Sequence, residues 1–426
     1  MSQFERGATP RIRLHVLPTK RFKTYAISLF AGIPLTEETV TATALTPFVL
    51  RRGTASTPET IAFRERLDDL YGAGFGFDVY KRGDAQVVQF RMDVINDRFV
   101  TSNTPLLAES IKLLGEVLTS PAKDGDVFRT KYVAAEKITL RKRLEAIVND
   151  KIRYAAERCL EEMCADEPYR LHALGRLEDL DHLTPEALYS QYQEWLGKAS
   201  FDLYVVGDTT LEEVQRLVSE SFQMRKAEGE AAAYSKPDVI HPIDQVKTVV
   251  ERMEVSQGKL NLGLRTNIGY GDEDYPAALV YNGILGGYPH SKLFLNVREK
   301  QSLAYYAASR LDGHKGILTI QSGIEIANYE RAVTIIKEQL ESMRQGELSE
   351  LEMNQTKAMI ANHLREVQDS AYEMISYDFN AVLSGKVRTA QELLDLVQAV
   401  TAEDIVRVAN KTELDTIYFL RDGEEE

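Results

Sequence analysis

Two separated stretches of the chain follow one plan, and that repetition limits the folds open to it more than any other feature. LTPEALYSQYQEWLGKASFDLYVVGD closes the first half at Asp208, and VTAEDIVRVANKTELDTIYFLRDG closes the second at Gly423. Each places a threonine ahead of an amphipathic stretch with an acidic residue in the first turn, the pattern of an N-capped helix. Each then runs into an apolar strand that ends in Asp. Two similar domains of roughly equal size are the simplest account, since 426 residues exceed one ordinary domain. Between the halves, KAEGEAAAYSKPDVIHPIDQ is small, charged and Pro-containing, the composition of a linker. The expected division is a first domain over 1–225, a linker over 226–245 and a second domain over 246–426.

Periodicity gives the class of those domains. AQVVQFRMDV sets Val88, Phe90, Met92 and Val94 on one face and Gln89, Arg91 and Asp93 on the other, a half-buried strand. KLNLGLR repeats the alternation with Leu260, Leu262 and Leu264. Long helical patterns lie between such strands, at 128–165 and 328–345. Amphipathic strands mixed with helices predict an α+β fold, each domain a mainly antiparallel sheet with helices packed on one face.

Composition removes several function classes. A net charge of −14 argues against nucleic-acid binding, because nothing neutralises phosphates by default. No window approaches a membrane span and the N-terminus carries no signal-like apolar core, so a cytoplasmic chain is expected. Cys159 and Cys164 lie five apart on a predicted helix with no partner at zinc spacing, which reads as a reduced, partly buried pair. The seven histidines form no metal-spaced pair, and no Ser/His/Asp order, phosphate loop or nucleotide fingerprint is present.

The most specific stretch is LGGYPHSKLFLNVREKQSLAYYA, residues 285–307. Gly286 and Gly287 permit a tight turn. Ser291 can cap a helix ending near Lys300, and Tyr305 starts the next strand, so Arg298 and Tyr305 flank one helix-to-strand turn. The segment closely resembles the second-domain signature of the pitrilysin/insulinase family of zinc peptidases, the inverzincins. EPYRLHALGRLEDLDHLTPEAL (167–188), LYVVGD and RLDDLYGAGFGFDVYKRGDAQVVQF (66–90) resemble further segments of that family in order. The resemblance implies two homologous α+β domains that face each other around a chamber.

Active members carry H-x-x-E-H on a helix just before a Gly-Thr turn; the histidines bind zinc and the glutamate activates water. Counting back from Gly53-Thr54 in ALTPFVLRRGT, those positions fall on Ala44, Pro47 and Phe48. None offers a metal ligand or a base. Pro47 inside a helix costs roughly 3 kcal/mol, so this helix is expected to be kinked or shortened, or to start at Pro47 with Thr46 as its cap. The family's third ligand, a glutamate on a later helix, has its best match at Arg143, and nearby Glu145 alone does not hold a catalytic zinc. The resemblance thus implies a chain that binds no metal, with zinc in a partner subunit.

Arg298 and Tyr305 match the family pattern intact. In active relatives the pair holds the substrate backbone and stabilises the oxyanion, so here it implies service in trans to another chain's zinc. Family substrates add as a strand to a sheet edge, for which the matching stretch is Phe75 to Lys81, with Phe75, Gly76, Phe77 and Asp78 as substrate-binding candidates. The expectation is a catalytically incomplete subunit of a two-chain zinc metallopeptidase acting on peptides. Its partner would be a related H-x-x-E-H chain in a heterodimer, with a homodimer when alone. The alternative is a non-proteolytic scaffold derived from the same fold.

Overall fold

The computed structural model describes residues 3–101, 104–224, 242–301 and 303–423. Residues 226–241 of the expected linker lie outside them. The chain forms two compact units, one of Met1–Glu145 with Leu171–Ser235, the other of Ala146–Arg170 with Lys236–Glu426.

The first unit holds a six-stranded sheet built from β1 (Glu5–Ala8), β2 (Ile12–Pro18), β3 (Thr24–Pro34), β4 (Gly74–Arg82) and β5 (Ala85–Ile95). A short hairpin of β6 (Lys123–Asp124) and β7 (Val127–Phe128) stands apart, and β8 (Ser200–Gly207) completes the sheet in the order β1-β2-β8-β3-β5-β4. The helices in this part of the chain are α1 (Val40–Leu50), α2 (Thr60–Asp69), α3 (Leu106–Thr119), α4 (Thr130–Asn149), α5 (Lys151–Met163), α6 (Leu177–Leu180), α7 (Pro185–Lys198) and α8 (Leu211–Ser221). All of them belong to the first unit except α5 and the last turn of α4.

The second unit has β9 (Lys247–Arg252), β10 (Gly258–Arg265), β11 (Ala304–Asp312), β12 (Ile317–Ile324) and β13 (Glu413–Arg421), in the order β11-β12-β10-β13-β9. Its helices are α9 (Tyr275–Asn282), α10 (Tyr329–Arg344), α11 (Glu350–Glu366), α12 (Ala371–Ser384), α13 (Ala390–Ala399) and α14 (Ala402–Lys411). Read from β2 and from β9, the two sheets share one topology. The opening strand pairs in parallel with the closing one, β2 with β8 and β9 with β13, and the other ladders are antiparallel. The repeated sequence plan supplies that closing strand twice. Thr184 caps α7 ahead of β8, and Thr401 caps α14 ahead of β13.

Alternation places Leu260, Leu262 and Leu264 of β10 in a core with side chains of α9, α10, α11, α13 and α14. The opposite face is also covered, by α5. A Cβ on Gly263 would come within 2.5 Å of Met163 Sδ, so a larger residue there would have to displace that side chain of α5. The pattern that predicts one helix over 128–165 is broken at Asp150, whose side chain accepts from Arg153 N and starts α5 afresh. Residues 146–170 therefore join the second unit, although the sequence on both sides of them belongs to the first. Buried Glu167 fixes the segment: its Oε1 accepts from Arg265 Nη2 at 2.6 Å, its Oε2 lies 2.7 Å from Lys315 Nζ, and Tyr169 donates to Asp312 at 2.7 Å. Both cysteines are buried in this layer, and burial pushes the Cys159 thiol up to about 12. Among the described residues no helix is long and apolar enough to cross a membrane.

Candidate functional site

Helix α1 carries Ala44, Pro47 and Phe48, the three positions that the resemblance matches to a metal motif, and every one of its eleven side chains is buried. Pro47 does not shorten it: the helix runs on to Leu50, and Arg51 N donates to Pro47 O at 3.2 Å. Nor is Thr46 a cap, because its hydroxyl donates to Ala42 O at 2.8 Å within the helix. Burial explains the difference. Phe48, Val49 and Leu50 are each almost wholly enclosed, and burial of each is worth about 1.5–3 kcal/mol, more in sum than the ~3 kcal/mol that proline costs.

The residues at these matched positions do not fit a zinc ion. Ala44 and Phe48 are core side chains with no lone pair, and Pro47 has no base to offer. The Phe48 ring packs edge-on against Phe77 of β4, with centroids 4.7 Å apart. α4 brings Arg143 over the Phe48 ring at 4.8 Å, so the two positions matched to metal ligands do meet, as a cation on an aromatic face. Among the described residues no group of three His, Cys, Asp or Glu side chains is placed to hold a metal ion.

Two more arginines complete the cluster. Arg52 Nε pairs with Oε1 of the fully buried Glu136. Arg51 lies over Phe77 at 5.4 Å and over Phe48 at 6.0 Å. Removal from solvent lowers the Arg51 pKa; Glu136 opposes this, while Arg52, Arg143 and Arg64 push it lower still. The sequence reading missed Glu136. The available signal was its place seven residues before Arg143, two turns along one helix face.

β4 is the outer strand of its sheet, so its far side is an open edge. Phe75 and Phe77 point toward the aromatic side chains of Phe63, Phe90 and Phe48. Asp78 points the other way and meets Arg91 at 3.2 Å. A Cβ on Gly76 would meet nothing within 4 Å, so the fold itself does not require glycine there.

In the second unit, β11 holds the same outer position that β4 holds in the first. Two π-helical segments precede it, Gly283–Gly287 and Phe294–Glu299, a geometry often found at functional sites. Ser291 Oγ accepts from Phe294 N at 3.4 Å, and Lys300 ends the second segment. A Cβ on Gly286 would stand 2.6 Å from Ser309 N, so glycine lets the first segment lie directly on β11. The second segment also packs on β11 and carries Arg298, whose guanidinium rests over the Phe294 ring at 4.5 Å. Its ion-pair contact, Glu299 at 3.8 Å, is long. Tyr305 is the extra residue of a β-bulge. Ala304 pairs with Ile324 and Tyr306 with Gly323, which leaves Tyr305 without a ladder partner and 65% exposed. The structure thus sets Arg298 and Tyr305 on adjoining elements, as their spacing predicts. His290, in the turn between the π segments, hydrogen-bonds Thr356 Oγ1 at 2.8 Å.

Comparison with known proteins agrees with this geometry. Residues 182–360 match the family profile described as Peptidase M16 inactive domain. Over 410 residues, 96% of each chain, the sequence is 43% identical to a Bacillus subtilis protein named "Probable inactive metalloprotease YmfF". The chain belongs to the M16 peptidases, the pitrilysin/insulinase family. A second Bacillus subtilis relative, "Uncharacterized zinc protease YmxG", is 25% identical over 244 residues, 56% of this chain and 57% of its own. The crystal structure of a conserved protein from Enterococcus faecalis superposes with a TM-score of 0.93 at 33% identity, covering all of both chains. The M16 fold is therefore present throughout, in a chain whose Ala44, Pro47 and Phe48 are core side chains and whose Arg143 lies over Phe48.

Proposed function

We propose that this chain is the catalytically incomplete subunit of a two-chain M16 zinc peptidase. Its Arg298 and Tyr305 serve the zinc site of a related H-x-x-E-H chain, where the zinc is held. The observation that carries the reading is a contrast. Every side chain of α1 is spent on the core, whereas a bulge and a π-helical segment hold Tyr305 and Arg298 outward. Tyr305 adds almost nothing to the core, and Arg298 has only a long contact to its neighbour Glu299. A phenol and a guanidinium so presented are donors suited to a developing oxyanion and to a peptide backbone. In the same reading a peptide substrate adds as a strand to the open edge of β4, along Phe75, Gly76, Phe77 and Asp78. Without its partner the chain forms a homodimer with no peptidase activity.

The test is peptide hydrolysis by this chain mixed with an H-x-x-E-H sister, with Arg298→Ala and Tyr305→Phe compared with the unaltered chain. Activity should require both chains. It should fall by about 10²–10³-fold in either variant while assembly, followed by sedimentation, is unchanged. Full activity of both variants in an intact complex would make the chain a scaffold.

A further inference from the structure

The degenerate metal position has acquired positive charge of its own. Arg52 and Glu136 neutralise each other. Arg51 and Arg143 are exposed and make no ion pair among the described residues, and Arg64 lies in the same field. What holds Arg51 and Arg143 is aromatic: both lie over Phe48, and Arg51 also lies over Phe77. Guanidinium groups held by ring faces keep their N–H forks unspent. The chain around them has a net charge of −14, so an uncompensated cationic spot stands out against it. The spot also adjoins an open strand edge, because Phe77 belongs to β4.

We propose that Arg51 and Arg143 anchor a carboxylate of an extended peptide lying along β4. The guanidinium pair supplies the positive charge at a position where active relatives would hold a metal. A strand added at β4 brings groups at the level of Phe77 to Arg51 and Arg143, on the helix-covered face of the sheet. There a carboxylate accepts two parallel N–H bonds from a guanidinium fork. The carboxylate is either the peptide's C-terminus or an Asp or Glu side chain at that level. The proposal rests on the reading of β4 as the peptide-binding edge.

The probe is a peptide of about eight residues, a typical strand length, with no other charged side chain and a neutral N-terminal fluorophore. It is used in three forms: free acid, C-terminal amide, and amide with one central Glu. Binding to the full chain is read by anisotropy, and hydrogen exchange of the β4 amides is followed in parallel. The free acid or the Glu-containing amide should bind about tenfold more tightly than the neutral amide, and which of them does so identifies the carboxylate. The Arg51→Gln/Arg143→Gln double variant should erase that advantage and leave the neutral amide's affinity unchanged. Equal binding of all three forms with β4 protected overturns the anchor and leaves the strand edge standing. No binding by any form, with β4 unprotected, overturns the edge reading and the anchor with it.

Discussion

Replacing Glu167 by Gln tests the claim that one buried carboxylate ties residues 146–170 to the second unit. Glu167 is 6% exposed, and its oxygens meet Arg265 at 2.6 Å and Lys315 at 2.7 Å. Glutamine keeps the shape and removes the charge, which leaves Lys315, itself buried, without this counter-ion. Breaking a buried pair from one side costs about 3–5 kcal/mol. Asp415 still holds Arg265 Nε at 3.0 Å, which favours the lower end, about 3 kcal/mol. For a unit of this size that corresponds to a fall in Tm of roughly 6–12 °C. Glu161→Gln is the control, because its pair with Arg158 is half exposed and worth less than about 1 kcal/mol. Hydrogen exchange over α5 should quicken in E167Q and not in E161Q. The acid limb gives a second reading. Burial pushes the Glu167 pKa up, but the bonds from Arg265 and Lys315 outweigh it and hold the carboxyl below its ordinary value. A depressed folded pKa means that the stabilisation is present above the unfolded value, near ~4.3, and is lost as pH falls through the folded one. E167Q should flatten that part of the stability profile. A Tm within about 1 °C of wild type, with unchanged exchange over α5, would refute the assignment.

Asp202 in the first unit makes a related prediction. It is fully buried, and although burial opposes ionisation, Arg13 and His15 pull its pKa down to about 2. Its contribution, about 2 kcal/mol, should be complete above pH ~4 and fade as pH falls toward 2, and Asp202→Asn should remove it from an acid-unfolding curve. The glycines separate packing from function. Gly286→Ala forces a Cβ onto the Ser309 backbone and should cost about 1–3 kcal/mol in urea unfolding, whereas Gly76→Ala meets open space and should stabilise by about 0.5–1 kcal/mol.

Much of the candidate site was legible because its residues are close in sequence. Arg298 and Tyr305 lie on either side of one turn, and a capping serine with two glycines gives that turn its direction. The bulge was not legible. It arises from the register of β11 against β12, which is a property of the pair and not of either strand alone. Pro47 misled on helix length: a local rule allowed the helix to stop short there, whereas burial of the residues after it carries the helix on to Leu50. Arg143 was placed only by a loose match, and its meeting with Phe48 depended on how α4 crosses α1.

The sequence by itself determined the repeated plan and the α+β class, which follow from periodicity, capping and side-chain chemistry acting within a few residues. The matching of Ala44, Pro47 and Phe48 to a metal motif, and of Arg298 and Tyr305 to a substrate-binding pair, came instead from the resemblance to the family. Only the tertiary structure decided that residues 146–170 join the second unit. It alone set Arg51 and Arg143 together on Phe48, and it alone put β4 and β11 at the outer edges of their sheets. Each of those outcomes depends on contacts between segments far apart in the chain, where buried area and ion pairing outweigh local preference.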